Sequence, residues 1–313
     1  MGQCHGILAI GIAILVGLPC IGRGDVSVTR MDYHGWKGAY RVSNNKVELV
    51  FVPQIGRIMR YAFVGGKNVL WENTSLRGKS VDTKNPPKEW QNFGGDKLWP
   101  APQERWNWPP DPVLDGAAES VRILPNKHLL VTGHNSLKSG LRFIREIALD
   151  PTGTTVTLCN TIQNIGNQPD EWSVWEVAQT DEPDKVVLPT NSARNFPEGY
   201  YTFPSDPPLP EQISLTDGVV NFTRDRRHSA KIGADSSLGW IEAQKGSLRF
   251  RVSASFTPEA TYPDLGCGQE VWSNADPTKY MELELLSPIR RLAPNETYTF
   301  TTQWNISKST PAP

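Results

Sequence analysis

The densest group of polar and aromatic side chains lies in residues 92–108, which read NFGGDKLWPAPQERWNW. Asp96, Lys97 and Gln103 offer hydrogen-bond donors and acceptors close to Trp99. Sugars carry hydroxyl groups at their rims and apolar C–H patches on their faces, so polar groups beside flat aromatic rings suit carbohydrate binding. These residues could instead pack the segment onto the fold and pair their charges locally, and we expect at least one of the tryptophans to be structural.

A pair of carboxylates, Glu282 and Glu284, forms a second candidate within the run Tyr280–Leu286. Successive side chains of a strand point to opposite faces, so both carboxylates lie on one face and Met281 and Leu283 on the other. Two neighbouring carboxylates repel each other, and burial would raise the pKa of one of them. Such a group suits general acid or base catalysis. A solvated, charged strand edge is the alternative reading of the same pattern.

Alternating apolar and polar residues predict strands along most of the chain. Residues 248–256, 298–306 and 156–162 show the two-residue period of a strand with one face in a core. Further predicted strands are Lys46–Val52, Arg57–Phe63, Ser120–Leu124, His128–Thr132, Leu141–Leu149, Glu171–Gln179, Leu238–Ala243 and Tyr280–Leu286. No stretch combines a helical apolar stripe with capping residues. Short strands separated by turn residues predict an all-β fold of stacked antiparallel sheets.

Two proline-rich stretches interrupt the strand pattern. Residues 86–112 contain seven prolines and four tryptophans, and residues 183–210 contain seven prolines. Proline removes a ladder donor, so both stretches are predicted to be ordered loops at a sheet rim and not central strands. No change of composition marks a linker, which favours one domain over residues 25–313.

The charge balance excludes some classes of partner. The chain has 32 Lys and Arg against 33 Asp and Glu, and residues 1–24 carry one Arg and no acid, which leaves 31 basic and 33 acidic groups. The resulting formal charge of 31 − 33 = −2 argues against a nucleic-acid or anionic-membrane partner, because such proteins usually carry a basic surplus.

The amino-terminal segment, residues 1–24, is predicted to be a secretory signal peptide. Its 12-residue apolar run, residues 7–18, is too short for a bilayer span of about 20 residues and suits a signal sequence. Cleavage before Asp25 would give a secreted or periplasmic protein with no membrane insertion. Cys159 and Cys267 would be its remaining cysteines, and whether they form a disulfide stays open.

Other chemistries lack their motifs. The sequence contains no G-x-S-x-G elbow, no P-loop and no dinucleotide fingerprint. No His or Cys spacing indicates a zinc site, so no metal or other cofactor is predicted. Calcium held by loop oxygens needs no short motif and stays open.

Several segments resemble the galactose mutarotase-like superfamily. Residues 52–58 (VPQIGRI) and 65–71 (GGKNVLW) resemble its amino-terminal hairpin, and residues 280–288 (YMELELLSP) resemble its late E-x-[EQ] strand. Residues 292–297 (LAPNET) resemble its turn into the last strand. The block GGDKLWPAPQ is similar to a segment of the uncharacterised DUF4380 proteins. Together these elements bracket residues 46–304.

The resemblance implies a β-supersandwich whose concave face binds a sugar. In aldose 1-epimerases a late carboxylate takes the proton of the anomeric hydroxyl while a histidine protonates the ring oxygen. Glu282 matches the carboxylate by position, and the spacing allows Glu284 instead. The histidine motif is missing here. Where it would fall, Trp175, Glu176 and Gln179 could form a sugar platform.

Arg57, in the Gly-Arg-Ile-like turn of the first hairpin, could anchor a carboxylate or a sugar hydroxyl, or it could be a solvated or locally paired charge. The sequence therefore predicts an exported carbohydrate-binding protein, with aldose epimerase-like proton transfer as the chemistry it could carry. The alternative is a non-catalytic envelope module for adhesion or assembly, which the missing histidine motif favours over epimerisation.

Overall fold

The computed structural model describes residues 25–190, 195–204 and 210–309. The predicted signal peptide lies outside these residues, as do parts of the second proline-rich stretch. The described chain is almost entirely β-structure arranged in three antiparallel sheets. This arrangement confirms the prediction of an all-β fold of stacked sheets. No helix in the described residues is long and apolar enough to cross a membrane.

The first sheet is a meander of four strands in chain order. They are β1 Ser27–Tyr33, β2 Trp36–Ser43, β3 Val47–Val52 and β4 Arg57–Phe63. Tyr61 on β4 packs its ring against Phe250 and Trp304, with ring centroids 5.9 and 6.0 Å away. Because both partners belong to the ten-stranded sheet, this contact joins the two sheets through one hydrophobic core.

The second sheet has seven strands and carries the candidate site. Its strands are β5 Asp96–Ala101, β10 Asp170–Asp181, β12 Tyr201–Thr202, β15 Ala230–Ala234, β18 Gln269–Ser273, β19 Tyr280–Leu286 and β20 Arg290–Leu292. They follow the order β12-β15-β18-β19-β10-β20, and β5 pairs with β10. Almost every residue of β10, β19 and β5 is buried, because both faces of this sheet are covered.

The third sheet has ten strands in the order β13-β14-β11-β16-β17-β21-β9-β8-β7-β6. Its strands are β6 Ser120–Ile123, β7 Leu129–Thr132, β8 Leu141–Leu149, β9 Val156–Asn164, β11 Lys185–Pro189, β13 Ile213–Thr216, β14 Val219–Phe222, β16 Trp240–Lys245, β17 Leu248–Ala254 and β21 Thr297–Lys308. Strands β8 and β9 alternate strictly between buried and half-buried residues, as their sequences predict.

Helical structure in the described residues is confined to single turns. The one α-helical turn is α1 Pro112–Asp115, where the Asp111 side chain accepts a hydrogen bond from the Val113 amide as an N-cap. The 3₁₀ turns are Thr74–Leu76, Gln103–Arg105, Pro210–Gln212 and Asp264–Gly266.

The prediction that both proline-rich stretches are rim loops is wrong in part. Residues 96–101 form the buried strand β5, in which Pro100 lies opposite Val174. Strand β5 pairs on one side only, and an edge strand tolerates proline. In the second stretch, Lys185–Pro189 form β11 between β14 and β16, and its proline is the last residue of the strand.

Cys159 lies on β9, and Cys267 lies between the 3₁₀ turn Asp264–Gly266 and strand β18. The structure leaves both as free thiols, which answers the question that the sequence left open.

Candidate functional site

A cleft of about 850 Å³ lies over one face of the seven-stranded sheet. Strand register explains which side chains reach it, because residues directly opposite each other on paired strands share a face. Glu282 lies opposite Gln179 and Trp272, and Trp99 lies opposite Trp175. The cleft is lined by Trp71, Asn73, Leu76, Pro87, Glu89, Trp90, Gln91, Asn92, Trp99, Gln103, Trp108, Trp175, Lys231, Trp272, Asn274, Thr278, Tyr280, Glu282 and Glu284.

Glu282 stands on the floor of the cleft with two donors on one oxygen. Lys97 Nζ lies 2.7 Å from its Oε1, and Gln179 Nε2 donates to the same atom at 2.9 Å. Burial lowers the pKa of the Lys97 ammonium, and the charge of Glu282 opposes that effect. Since both hydrogen bonds end on Oε1, the other carboxylate oxygen of Glu282 is available to a ligand.

Glu284 is the second carboxylate of the floor and is 1% exposed. Trp175 Nε1 donates to its Oε2 at 2.9 Å, and Lys231 Nζ lies 3.2 Å from the same oxygen. Burial raises the pKa of Glu284, while the charge of Lys231 opposes the rise. Glu282 and Glu284 therefore share one face, as predicted, and each is paired with a different lysine.

Aromatic rings form the walls of the cleft. The Trp99 ring makes edge contacts with Trp90, Trp108 and Trp175 at centroid distances of 5.6, 6.1 and 5.2 Å. Trp108 is 53% exposed, so part of its ring is open to a ligand. Lys97 Nζ lies 4.7 Å from the Trp99 ring centroid, which is within the range of a cation–π contact.

Arg57 supports this wall from behind and does not reach the cleft. Its buried guanidinium donates to Asp115 Oδ1 at 2.9 Å and to the Gly94 carbonyl at 3.1 Å. Asp115 in turn accepts hydrogen bonds from the indole nitrogens of Trp90 and Trp99, both at 2.7 Å. Of the two alternatives for Arg57, this placement fits a locally paired charge and not a ligand anchor.

Asp96 and Glu176 also lie away from the cleft, contrary to the expected placement. Asp96 Oδ2 pairs with Arg145 Nη2 at 2.5 Å, and Glu176 Oε2 accepts from Asn160 Nδ2 at 2.6 Å. Both carboxylates thus belong to a polar network between the seven-stranded and ten-stranded sheets. The reason is strand alternation, since neighbours of Lys97 and Trp175 must point to the opposite face.

The remaining predicted residues, Lys97, Trp99, Gln103, Trp175 and Gln179, lie at the cleft face or contact its carboxylates. The lining residues that the sequence interpretation missed include Trp71, Trp90, Lys231, Trp272 and Tyr280. Tyr280 precedes Glu282 by two positions on β19, so alternation places it on the same face. Lys231 and Trp272 come from β15 and β18, and only long-range pairing brings them here.

No histidine lines the cleft in the described part of the chain. His34, His128 and His228 instead pair with Glu72, Glu146 and Asp225 at 2.8, 2.6 and 3.0 Å. Among the same residues, no group of three or more His, Cys, Asp or Glu side chains could hold a metal ion.

Solved structures define the class of fold. A galactose mutarotase related enzyme from Lactobacillus acidophilus has a TM-score of 0.56 at 9% identity, covering 87% of this chain and 98% of its own. A galactose mutarotase-like protein from Clostridium acetobutylicum has a TM-score of 0.52 at 12% identity, covering 91% and 99%. These matches confirm a galactose mutarotase-like β-supersandwich, and at such identities they show the fold alone.

A family model identifies the family within this fold class. Residues 39–307 match the domain of unknown function DUF4380, and the chain belongs to that family. A TPR-domain containing protein from Parabacteroides distasonis ATCC 8503 shares the fold with a TM-score of 0.60 at 15% identity over 88% of this chain. The chain spans about half the length of that protein, 48%. No curated protein sequence matches this chain.

Proposed function

We propose that this protein binds a carbohydrate in the cleft and moves a proton at the anomeric centre through Glu282. The observation that carries the proposal is the position of Glu282 and Glu284 on the floor of an aromatic-walled cleft of about 850 Å³. Clefts of roughly 300–1,000 Å³ are typical of small-molecule sites. Indole faces suit the apolar face of a pyranose ring, and carboxylates and amides suit its hydroxyl groups.

The chemistry that fits this site is opening and reclosing of the sugar ring. The free oxygen of Glu282 takes the proton of the anomeric hydroxyl, and the bond between the anomeric carbon and the ring oxygen breaks. Its electron pair stays on the ring oxygen, which takes a proton from an acid on the other side of the bond. Rotation and reclosure then give either anomer. The mutarotase-like fold supports this reading, because its solved members include proteins described as mutarotase related.

The test begins with binding and proceeds to turnover. Calorimetry with a panel of common aldoses and uronic acids identifies a ligand, and two-dimensional exchange NMR then measures anomer interconversion with and without the protein. Replacement of Glu282 by Gln should lower the exchange rate by about 100-fold or more while affinity changes little, because Gln keeps the hydrogen bonds and removes the base.

Glu171→Gln is the matched control, since Glu171 is exposed on β10 outside the cleft. It should leave both binding and exchange unchanged. Undiminished exchange in Glu282→Gln would overturn the assignment of the base. The absence of binding to every sugar would overturn the proposed ligand class.

A further inference from the structure

Lys231 bridges two buried carboxylates, Glu284 on the cleft floor and Glu270 on the neighbouring strand. Its Nζ lies 2.5 Å from Glu270 Oε2 and 3.2 Å from Glu284 Oε2. Glu270 and Glu284 are directly opposite each other on β18 and β19, so the pairing of the strands holds them together. The other ammonium near the floor, that of Lys97, pairs with Glu282 at 2.7 Å. Two carboxylates therefore share a single cation.

Burial makes this arrangement costly if both carboxylates are ionised. Glu270 is 0% exposed and Glu284 is 1% exposed. Oε1 of Glu270 has no hydrogen-bond partner among the described residues, so the charge of this carboxylate depends on the ion pair between Lys231 and Oε2. One ammonium can compensate one carboxylate, and a second uncompensated charge in a dry site is normally removed by a proton.

Apart from Lys231, the groups around Glu270 and Glu284 add more negative than positive charge. Charged and titratable groups around the pair in the described residues are Lys231 from β15, Glu282 and Tyr280 from β19, Lys97 from β5, Asp264 and Cys267. Asp264 lies 3.9 Å from Lys231 and adds a further negative charge. Burial and then the Glu270 carboxylate raise the pKa of the Cys267 thiol, which therefore adds no positive charge.

The direction of each pKa agrees with the geometry. Burial raises the pKa of Glu270 well above its usual range, with Lys231 opposing and Glu284 adding to the rise. Burial alone would lower the pKa of Lys231, but the two carboxylates raise it overall, so the bridging cation keeps its charge.

We propose that the two carboxyl groups beside Lys231, those of Glu270 and Glu284, share one proton. Glu284 delivers this proton to the ring oxygen of the bound sugar. This inference rests on the proposed function, and it supplies the acid that the missing histidine leaves unassigned. Glu284 lines the cleft and is a catalytic residue together with Glu282. Glu270 does not line the cleft and is a positioning residue that acts through Glu284.

The proton balance closes without any further reactant. During ring opening Glu282 gains the anomeric hydroxyl proton, and the pair of Glu270 and Glu284 loses one proton to the ring oxygen. During reclosure the ring oxygen attacks the aldehyde carbon and returns its proton to the pair. The carbonyl oxygen takes its proton back from Glu282, and the enzyme regains its starting state.

The first test needs no sugar. Infrared difference spectroscopy at pH 7 compares the wild-type protein with Glu270→Gln and with Glu284→Gln. If the pair carries one proton, either substitution leaves one carboxyl group beside Lys231, and that carboxyl group ionises. Each variant should therefore lose the carbonyl band of one protonated carboxyl group and keep its ionised carboxylate bands.

The double variant Glu270→Gln with Glu284→Gln should lose one protonated and one ionised band. The control Glu171→Gln should lose one ionised band only. Loss of an ionised band in both single variants would overturn the proposal, whether or not a sugar binds. The two single variants check each other if one of them does not fold.

The second test uses a sugar whose anomers the protein exchanges. The proton of the pair must be present for ring opening, so the exchange rate falls where the pair ionises at high pH. Glu270→Gln removes the neighbouring negative charge and should move this alkaline limb to lower pH, with a loss of about 100-fold at pH 7 and little change in KM. An unshifted limb would contradict the role of Glu270, while failure of every sugar to bind would count against the proposed function instead.

Discussion

Asp96 and Arg145 form a buried ion pair directly behind the cleft floor. Their side chains are 0% and 3% exposed, and the nearest oxygen and nitrogen are 2.5 Å apart. Arg145 Nε also donates to Asn160 Oδ1 at 3.1 Å, and Asn160 continues to Glu176. Breaking such a pair leaves an uncompensated charge in the interior, which costs more than the pair itself contributes. This network fixes β5 and β10 from the side opposite the ligand.

We predict that Asp96→Asn lowers the free energy of unfolding by about 3 kcal/mol, because it removes the carboxylate that pairs directly with the buried Arg145 guanidinium. Urea unfolding, followed by tryptophan fluorescence, measures the change as a shift of the midpoint with an unchanged dependence of the free energy on urea concentration. Asp32→Asn is the matched control, since Asp32 pairs with Lys37 at 2.6 Å on the surface. The control should leave the midpoint unchanged, and equal midpoints for the two variants would contradict a structural role for the network.

At the scale of elements, strand β5 brings Lys97 and Trp99 to the cleft and Asp96 to the interior. The turn before it contains Gly94 and Gly95, with φ of 90° and 70°. The Gly95 amide donates to the Trp71 carbonyl at 2.8 Å, which ties the turn to the segment that carries Trp71 into the cleft. A side chain at Gly94 would overlap this carbonyl group, so the turn requires glycine for space as well as for conformation.

The matched comparison is Gly94→Ala against Gly65→Ala. Gly65 has φ of 73° and open space around it, so its variant tests conformational strain alone, which costs about 1–2 kcal/mol. We predict that Gly94→Ala lowers the free energy of unfolding by at least twice as much as Gly65→Ala, because the turn must also move away from Trp71. Urea midpoints measure stability, and quenching of tryptophan fluorescence reports opening of the cleft. Equal losses in the two variants would contradict the close approach.

At the scale of the whole molecule, the strands with a clear two-residue period were the predictable part. Arg57–Phe63, Leu141–Leu149 and Tyr280–Leu286 have the observed bounds. Strand β5 was predicted as a rim loop because Pro100 and the prolines that flank the strand hide its extended pattern. Strands β1 and β2 were missed, and burial does not alternate along β1. Short strands such as β14, β15 and β18 were also missed.

The site was predictable only where it lies along one strand. Glu282 and Glu284 follow from alternation on β19, and alternation also excludes Asp96 and Glu176 once Lys97 and Trp175 face the cleft. Lys231 and Glu270 reach Glu284 through pairing between β15, β18 and β19, which no local pattern reveals.

The near-neutral charge of the chain fits a cleft in which carboxylates are matched by lysines. The whole sequence carries 32 basic and 33 acidic side chains. At the cleft floor and directly beside it, Lys97 and Lys231 pair with Glu282, Glu284 and Glu270, and the proposed proton makes that group neutral overall. A neutral floor with aromatic walls suits an uncharged ligand better than a nucleic acid or an anionic lipid.

A crystal structure of the protein with a sugar that binds in calorimetry would show whether Glu282 and Glu284 act on the anomeric centre. We predict a pyranose ring in the cleft, stacked on an indole face of Trp99, Trp108 or Trp175. Its anomeric hydroxyl should lie within hydrogen-bond distance of Glu282 and its ring oxygen on the side of Glu284. A sugar bound elsewhere, or bound in the cleft with the anomeric centre turned away from both carboxylates, would contradict the account.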